Sequence, residues 1–442
     1  MSLKTSNLPF KARVDHEVHN TIMRKAVVKA QETIGANRQK MVDELGHWEE
    51  WRDLSKQIRN HVLANLDAYL YQLSEKVMEN GGKVYFAETA EEASAYIRKV
   101  ALEKNAKKIV KSKSMVTEEI GLNEVLEKEG MQVIETDLGE YLLQISGDKP
   151  SHIVVPAIHK DRHQIRKDLS EKLGYEGEET PEDMTRFVRE KIRQDFLEAD
   201  IGISGCNFAV AETGSVCLVT NEGNLRLATT LPKTHIAVMG MERLAPTFQE
   251  VDVLITMLAR SAVGAKLTGY NTWLTGPRLA GETDGPEEFH LVIVDNGRSD
   301  ILASEFQEVL RCIRCGACLN TCPAYRHIGG HGYGSIYPGP IGAVISPLLG
   351  GYKDFKDLPY ACSLCTACDN VCPVRIPLSK LILRHRRVMA EKGITAKAEQ
   401  RAIKMFAYAN SHPGLWKVGM MAGAHAASWF INGGKTPLKF GA

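Results

Sequence analysis

Two stretches of the chain share one cysteine pattern: Cys312-Ile-Arg-Cys315-Gly-Ala-Cys318-Leu-Asn-Thr-Cys322-Pro323 and Cys362-Ser-Leu-Cys365-Thr-Ala-Cys368-Asp-Asn-Val-Cys372-Pro373. Each stretch has three cysteines at intervals of three positions, then a fourth that is followed directly by proline. This is the spacing with which bacterial ferredoxin sequences bind [4Fe–4S] clusters. The pattern therefore predicts two such clusters within one small domain.

The spacing also predicts which cysteines share a cluster. Three thiolates on a tight loop can each reach a different iron, whereas proline turns the chain away after the fourth, which then binds the other cluster. We therefore assign one cluster to Cys312, Cys315, Cys318 and Cys372. The second cluster is assigned to Cys362, Cys365, Cys368 and Cys322. Zinc usually binds two separated pairs of ligands and disulfides do not suit a cytosolic chain, so the open alternative is a [3Fe–4S] form at one site.

Length and composition describe an ordinary globular chain with more than one domain. It has 442 residues, 44% hydrophobic and 25% charged, with a formal net charge of +1. Such a balance gives no indication of nucleic-acid binding. The remaining cysteines, Cys206 and Cys217, are typical of core positions. The N-terminus has no segment of signal-peptide type and no long apolar stretch interrupts the chain, so we expect no transmembrane segment. The predicted location is cytoplasmic, and peripheral contact with a membrane stays open.

The order of predicted elements indicates four regions. Residues 1–80 form a helical region, residues 81–298 an α/β domain, residues 299–392 an α-helical ferredoxin domain, and residues 393–442 a helical tail. Strands that alternate with helices in the second region predict a parallel sheet. The predicted strands are Lys83–Ala87, 108–110, Gln132–Glu135, 152–156, 234–239 and 291–295, and further apolar strands flank the turn at 212–215. Predicted helices include one capped by Thr117 that runs to Glu129, and one at 301–311.

Two polar segments of the α/β domain are candidates for a small-acid pocket. Lys111, Ser112 and Lys113 follow a predicted strand at its carboxyl end, where open α/β sheets bind ligands. The second segment holds the turn Glu212-Thr213-Gly214-Ser215 and Asn224. The alternative for both segments is an ordinary solvated loop or β-turn, since glycine and asparagine are common turn residues.

The segment between the cysteine runs contains His327 and His331 among glycines and prolines. Eight cysteines already saturate two clusters, so these histidines are weak ligand candidates. Small residues near a cluster are more simply explained by close approach of the backbone.

The motifs taken together resemble a known family. The cysteine runs, Tyr325-Arg-His-Ile-Gly-Gly, Tyr337-Pro-Gly-Pro-Ile-Gly-Ala, Glu212-Thr-Gly-Ser and Leu231-Pro-Lys-Thr-His are similar to the iron–sulfur protein B of lactate-utilisation systems. The resemblance implies that the α/β part is a LUD domain, related to sugar-phosphate isomerase and CoA-transferase folds. It also implies a three-protein complex that oxidises L-lactate to pyruvate, with a cysteine-rich protein A and a LUD-domain protein C as partners of this chain.

Two functional hypotheses follow. In the first, the chain is an electron-transfer subunit, non-catalytic or co-catalytic, that passes single electrons to an unidentified acceptor. The chain has no nicotinamide or flavin fingerprint, and one-electron clusters cannot take a hydride in one step, so a partner begins the chemistry. In the second, the α/β domain itself binds and transforms a small carboxylate, and the clusters serve that site.

Overall fold

The computed structural model describes residues 3–394 and 397–430 of the chain. Residues up to Arg384 form one compact unit, and the residues from His385 onward form a second. The helices Lys397–Ser411 and Pro413–Phe430 belong to the second unit. The first unit contains every predicted site residue.

Four helices open the first unit, which confirms the helical prediction for this region. They are α1 (Phe10–His19), α2 (Thr21–Leu45), α3 (Trp48–Ala64) and α4 (Leu66–Glu79). Asn20 caps α2 by accepting a hydrogen bond from the backbone N–H of Met23, which satisfies one of the unpaired donors of its first turn. Gly81 follows α4 with a φ of 84°, a left-handed conformation that glycine adopts without strain.

Ten strands form two sheets. They are β1 (Lys83–Ala87), β2 (Lys108–Lys111), β3 (Gln132–Glu135), β4 (Ile201–Ser204), β5 (Phe208–Val210), β6 (Ser215–Thr220), β7 (Thr234–Gly240), β8 (Leu244–Ala245), β9 (Tyr270–Leu274) and β10 (Glu288–Val294). The larger sheet has the order β1-β10-β7-β4-β2-β3 and is parallel throughout. The smaller sheet has the order β8-β5-β6-β9. The predicted parallel α/β architecture is confirmed.

Helices cover the larger sheet on both faces. In the α/β part they are α5 (Ala90–Glu103), α6 (Met115–Glu119), α7 (Leu122–Lys128), α8 (Leu138–Ser146), α9 (Arg162–Leu173), α10 (Pro181–Glu198), α11 (Asn224–Thr230) and α12 (Phe248–Ala262). Along β10, Val292 and Val294 pack into one buried cluster with α5 and α7, whereas Leu291 and Ile293 pack into another with α4. This alternation buries both faces of the strand, as expected for a parallel sheet.

Short helices carry the cysteine runs, so the predicted helical character of this region is confirmed. They are α13 (Arg298–Leu302), α14 (Ala317–Asn320), α15 (Pro323–Ile328), α16 (Gly339–Gly350), α17 (Tyr352–Phe355), α18 (Ala367–Val371) and α19 (Leu378–Glu391). Three 3₁₀ turns lie among them, at Gln307–Arg311, His331–Tyr333 and Leu358–Ala361. No described residue between Gly297 and Arg384 belongs to a named strand.

The predicted strand at 152–156 is wrong. The segment is a compact loop in which the backbone N–H groups of Val154 and Val155 donate to Nδ1 of His152, at 3.1 and 3.0 Å. The N–H of Ser151 closes the loop on the carbonyl of Pro156 at 3.0 Å. Ile153 is buried and lines a cavity with cysteines of both runs instead of packing within a sheet.

Two predicted helices are also wrong in their extent. Ser114, not Thr117, caps the first, and a left-handed Gly121 divides it into α6 and α7. The helix predicted at 301–311 ends early because Ser304 Oγ accepts the backbone N–H of Phe306 at 3.0 Å, which competes with helical hydrogen bonding. The strands β4, β8 and β9 are short additions that the pattern did not indicate.

Candidate metal centre

Four cysteines from both runs line one cavity. Cys312, Cys315, Cys318 and Cys372 surround it together with the apolar side chains of Ile153 and Ile341, among others. Cys315 and Cys372 are buried. The structure therefore brings together the four residues of the first predicted ligand set, three from one run and the fourth from the other.

Three cysteines of the second predicted set lie close together: Cys362 and Cys322 are within electrostatic reach of Cys368, and Cys362 is within reach of Cys322. Cys365 belongs to the same run and is exposed to solvent. The second site therefore lies nearer the surface than the first.

The two cysteine loops repeat the same backbone conformation. Arg314 and Leu364 occupy the position before the second cysteine with φ of 59° and 56°, and Gly316 and Thr366 follow that cysteine with φ of 77° and 64°. The N–H of Arg314 donates to Cys312 Sγ at 3.4 Å, and that of Leu364 donates to Cys362 Sγ at 3.3 Å. Successive backbone N–H groups in a turn of this kind point to the same side and form an anion-binding concavity.

The donor set fits an iron–sulfur cluster. Burial raises the pKa of Cys315 and Cys318, and it raises the pKa of Cys372 to about 11. These thiols therefore hold their protons at neutral pH unless a cation replaces them, and metal binding releases such protons. Four thiolates around one buried cavity suit the soft ligand preference of iron–sulfur clusters and of zinc. The four-cysteine run closed by proline favours the cluster.

Side chains of the N-terminal helices hold the cysteine segments by their carbonyls. Arg52 in α3 donates to the carbonyls of Cys372 at 2.9 Å and Asp369 at 2.7 Å. Gln31 in α2 donates to the carbonyl of Leu319 at 2.8 Å. Arg59, which is fully buried, donates to the carbonyls of Leu310 and Arg311 at 2.8 and 3.2 Å. These positioning residues were not predicted from the sequence, where the signal was polar side chains on the apolar faces of two amphipathic helices.

A buried charge network connects the first site to the parallel sheet. Arg298 contacts Glu119 and Glu242, each at 2.8 Å. Tyr337 donates to Glu119 at 2.6 Å. Arg314, which lies between Cys312 and Cys315, is 3.8 Å from Glu242 and stacks over the Tyr337 ring at 4.7 Å. The carboxyl edge of the sheet, where α/β proteins bind ligands, is filled at this point by the protein itself.

The predicted small-acid residues fall into two groups. Lys111, Ser112 and Lys113 lie at the carboxyl end of β2, and Asn224 joins them there through a 3.4 Å hydrogen bond to Thr136. Lys111 is buried and contacts Glu135 at 2.8 Å and Glu118 at 3.1 Å. Burial acts to lower the pKa of Lys111, but these carboxylates outweigh it and raise the pKa. The lysine is therefore already neutralised within the protein.

The second group, Glu212, Thr213, Gly214 and Ser215, lies against the end of α4. Asn80 donates to the carbonyl of Thr213 at 2.9 Å, and a Cβ at Gly214 would be 2.8 Å from the backbone of Lys76. Ser215 contacts Thr275 at 3.0 Å. Among the residues that the structure describes, no hydrogen bond or ion pair joins this turn to the lysine group. Gly214 therefore allows this turn to pack closely against the backbone of α4.

The histidines between the runs have partners outside the cysteine sites. His331 Nε2 donates to the carbonyl of Lys149 at 2.8 Å and lies near Asp148 and His159. Asp148 also contacts His159 at 2.9 Å and Lys160 at 3.6 Å. Lys160 already supplies a positive charge beside Asp148, and we assign no metal there. His327 Nδ1 contacts Arg24 at 3.4 Å.

No helix among the described residues is long and apolar enough to span a membrane.

Known protein families match both the α/β part and the cysteine-bearing part of the chain. Residues 70–294 match the LUD domain, and residues 308–376 match the 4Fe-4S dicluster domain. The "Uncharacterized electron transport protein YkgF" of Escherichia coli (strain K12) is 83% identical over 100% of this chain and 93% of its own. "Lactate utilization protein B" of Bacillus subtilis (strain 168) is 60% identical over 99% of this chain and 93% of its own. The protein of the same name from Bacillus cytotoxicus is 60% identical over 99% of this chain and 94% of its own.

Among solved structures, a DUF162 family protein from Deinococcus radiodurans covers 52% of this chain and 98% of its own, with 17% identity and a TM-score of 0.30. The similarity of the full-length relatives, together with the two domain matches, settles the family. This chain belongs to the lactate utilization protein B family, as an iron–sulfur protein that joins a LUD domain to a 4Fe-4S dicluster domain.

Proposed function

We propose that this chain is the iron–sulfur electron-transfer subunit of a complex that oxidises L-lactate to pyruvate. The observation that carries the proposal is the convergence of Cys312, Cys315, Cys318 and Cys372 around one buried cavity. Crossed ligation between the two runs accounts for that grouping, and it is the arrangement found in two-cluster ferredoxins. Cys322, Cys362, Cys365 and Cys368 are then the ligands of the second cluster.

The protein around each site prepares it for electron transfer. A [4Fe–4S] cluster, when bound, exchanges one electron at a time. Amide N–H groups directed at Cys312 and Cys362 stabilise negative charge on the sulfurs, and Arg52 and Arg59 hold the loops so that little rearranges on reduction. Rigid, preorganised dipoles lower the cost of a change in charge.

The substrate side of the reaction is assigned to a partner. Oxidation of lactate to pyruvate releases two electrons and two protons, whereas each proposed cluster carries one electron. The chain has no nucleotide fingerprint for a hydride acceptor. Relatives that are 60% identical carry the name lactate utilization protein B, which supports a role in a lactate-utilization complex. As the other members of that complex we propose a cysteine-rich protein A and a LUD-domain protein C, with the assembly in the cytoplasm. The proposal does not identify the electron acceptor.

The test is anaerobic purification followed by assays of iron and acid-labile sulfide, with EPR spectra before and after L-lactate. We expect about eight irons per chain, a reversible signal with dithionite, and no reduction by lactate until the partner proteins are added. Reduction of the clusters by lactate in the isolated chain would overturn the partner-dependent function. An iron content that stays near zero after reconstitution would overturn the clusters themselves.

A second candidate function has a specific observation in its favour. Ser112 Oγ and Asn224 Oδ1 are buried without a hydrogen-bond partner among the described residues, and the partly buried Lys113 follows Ser112 directly. Burial raises the pKa of the neighbouring Glu140 to about 8, which is suitable for proton transfer near neutral pH. A small carboxylate bound there would be transformed by the α/β domain itself. Lactate-dependent reduction in the isolated chain that is lost in Asn224→Ala would establish this alternative.

A further inference from the structure

Arg38 lies beside the first cysteine site although it belongs to the N-terminal helix α2. Its Nη2 donates to the carbonyl of Val371 at 3.3 Å, one residue before Cys372. The guanidinium is also within electrostatic reach of Cys315 and Cys372, which come from different runs. Because these two cysteines line the same cavity, Arg38 is placed at the edge of the site where the two runs meet.

One buried donor of Arg38 has no acceptor within the described part of the protein. Its Nε–H is buried and has no hydrogen-bond partner within the described ranges 3–394 and 397–430. A buried polar donor without an acceptor is destabilising, so an unpaired N–H beside a ligand site indicates a missing acceptor. The sulfurs of a cluster in the adjacent cavity supply acceptors of the required negative charge.

The neighbouring Arg52 provides the contrast. Its Nε donates to the carbonyl of Cys372 at 2.9 Å, its Nη2 to Asp369 at 2.7 Å, and its Nη1 to Glu49 at 2.8 Å. All three nitrogens of Arg52 are therefore used to hold protein groups. Arg38 differs because only Nη2 is engaged in this way, which leaves one edge of its guanidinium for another acceptor.

The position of Arg38 is fixed by packing. Its guanidinium lies over the ring of Trp48 at 5.1 Å. The backbone of α2 at Arg38 also packs tightly on Gly264, where a Cβ would be 2.4 Å from the Arg38 nitrogen. The helix therefore cannot move away from the site without losing both contacts.

We propose that Arg38 donates its Nε–H to a sulfur of the cluster held by Cys312, Cys315, Cys318 and Cys372, and raises the reduction potential of that cluster. The inference rests on the proposed pair of clusters and deepens it. Reduction adds one negative charge to the cluster, so a nearby cation and an N–H to sulfur hydrogen bond stabilise the reduced form more than the oxidised form. Arg38 is thus a positioning and potential-setting residue that acts from outside the ligand set.

The experiment compares Arg38→Gln with Lys40→Gln in the full-length, cluster-loaded chain. Lys40 is an exposed residue of the same helix, so its variant removes an equal charge without touching the site. Iron and acid-labile sulfide are measured first, and an EPR-monitored redox titration follows. We expect Arg38→Gln to lower the midpoint of one cluster so that its reduced fraction relative to oxidised falls roughly tenfold at the wild-type midpoint, about 59 mV for one electron. The other cluster, and both clusters of Lys40→Gln, should keep their midpoints.

Each outcome decides the proposal. Full iron content in Arg38→Gln with both midpoints unchanged overturns it. Equal shifts in the Lys40→Gln chain also overturn it, because the effect would then be general charge and not a local contact. If Arg38→Gln loses iron, Arg38→Lys decides instead: a midpoint lowered by loss of the fixed Nε–H supports the proposal, and an unchanged midpoint refutes it. A wild-type chain that cannot be loaded with iron contradicts the proposed function, which is a different failure from these.

Discussion

Arg298 donates two hydrogen bonds of 2.8 Å to the carboxylate of Glu119, and neither side chain is exposed to solvent. The remaining nitrogen of the guanidinium, Nε, donates to Glu242 at 2.8 Å. Glu119 also accepts from Asn296 at 2.7 Å and from Tyr337 at 2.6 Å. Because Tyr337 lies between the two cysteine runs, this network joins the sheet to the proposed cluster region.

Replacement of Arg298 by methionine should therefore be severely destabilising. The variant leaves Glu119 and Glu242 buried without their countercharge, and loss of one partner of a buried ion pair costs about 3–5 kcal/mol. Urea unfolding followed by circular dichroism measures the loss. Part of the cluster iron should be lost at the same time.

The matched control is Arg186→Met, which removes an arginine from an exposed ion pair with Asp183. Exposed pairs contribute about 0–1 kcal/mol, so the control should unfold close to the wild type. Similar unfolding midpoints for the two variants would contradict a stabilising role for the buried Arg298 network.

The buried His152 makes stability depend on pH. Burial lowers its pKa to about 3, because Nδ1 accepts two backbone N–H groups and the neutral ring is enclosed by protein. The unfolded chain binds a proton at this residue below about pH 6.5, whereas the folded chain does not until near pH 3. Stability should therefore fall as the pH is lowered through this window.

The measurement is the unfolding free energy of wild type and His152→Gln at pH 7.5 and pH 5.5. The wild type should lose about 1.4 kcal/mol more than the variant over this interval, the amount linked to uptake of one proton by the unfolded state. His163→Gln, at an exposed position, should keep the wild-type slope. Equal slopes for all three chains would mean that His152 is accessible to protons in the folded state.

The cysteine sites and the sheet were readable in the sequence for physical reasons. Cysteine spacing follows cluster geometry, and strands such as Lys83–Ala87 and Gln132–Glu135 are continuous short segments between turn signals. The segment from His152 has the same apolar character but folds as a loop, because His152 satisfies its backbone N–H groups locally. The pattern of apolar residues indicates which side chains are buried, but it does not indicate which part of the protein they pack against.

The positioning residues escaped prediction for a related reason. Arg52, Arg59 and Gln31 lie on buried faces of amphipathic helices, and their acceptors are carbonyls more than 180 positions away along the chain. A polar residue on an apolar helix face indicates a buried partner but does not identify it. The residues predicted for a small-acid pocket lie in two separate groups for a similar reason. Their positions depend on the order of the strands in the sheets, which local sequence patterns do not reveal.

The sequence predicts that small residues between the cysteine runs allow close approach of the backbone, and Gly330 is one such residue. A Cβ at this residue would lie 1.8 Å from the carbonyl oxygen of Ser151, at the base of the loop that begins there. Gly330→Ala should therefore separate the loop from the region between the cysteine runs and cost about 1–3 kcal/mol. Gly35→Ala in α2 has no atom within 4 Å of the new methyl group and should stabilise the helix by about 0.5–1 kcal/mol. Thermal unfolding of both variants tests the opposite signs, and two shifts in the same direction would contradict the close approach of Gly330 to Ser151.

The sharpest test of the ligand assignment is a pair of cysteine variants. Cys318 lines the cavity with Cys312, Cys315 and Cys372, whereas Cys217 is buried in β6 within the smaller sheet. Cys318→Ala should lose one cluster, and because Cys372 is then left without its cluster in the run that holds the second, the second should also become labile. Iron per chain should fall to about four or fewer, while Cys217→Ala should keep about eight.

Iron and sulfide assays, with EPR spectra of the reduced proteins, distinguish the possibilities. Loss confined to one signal in Cys318→Ala fits the crossed ligand sets, and a gradual loss of the other on storage fits their mechanical coupling through α14 and α18, which are in contact. Two intact clusters in Cys318→Ala would show that Cys318 is not a ligand. Equal losses in both variants would show that iron retention reports general folding, since Cys217 lies outside both cysteine runs and can influence them only through the stability of the chain.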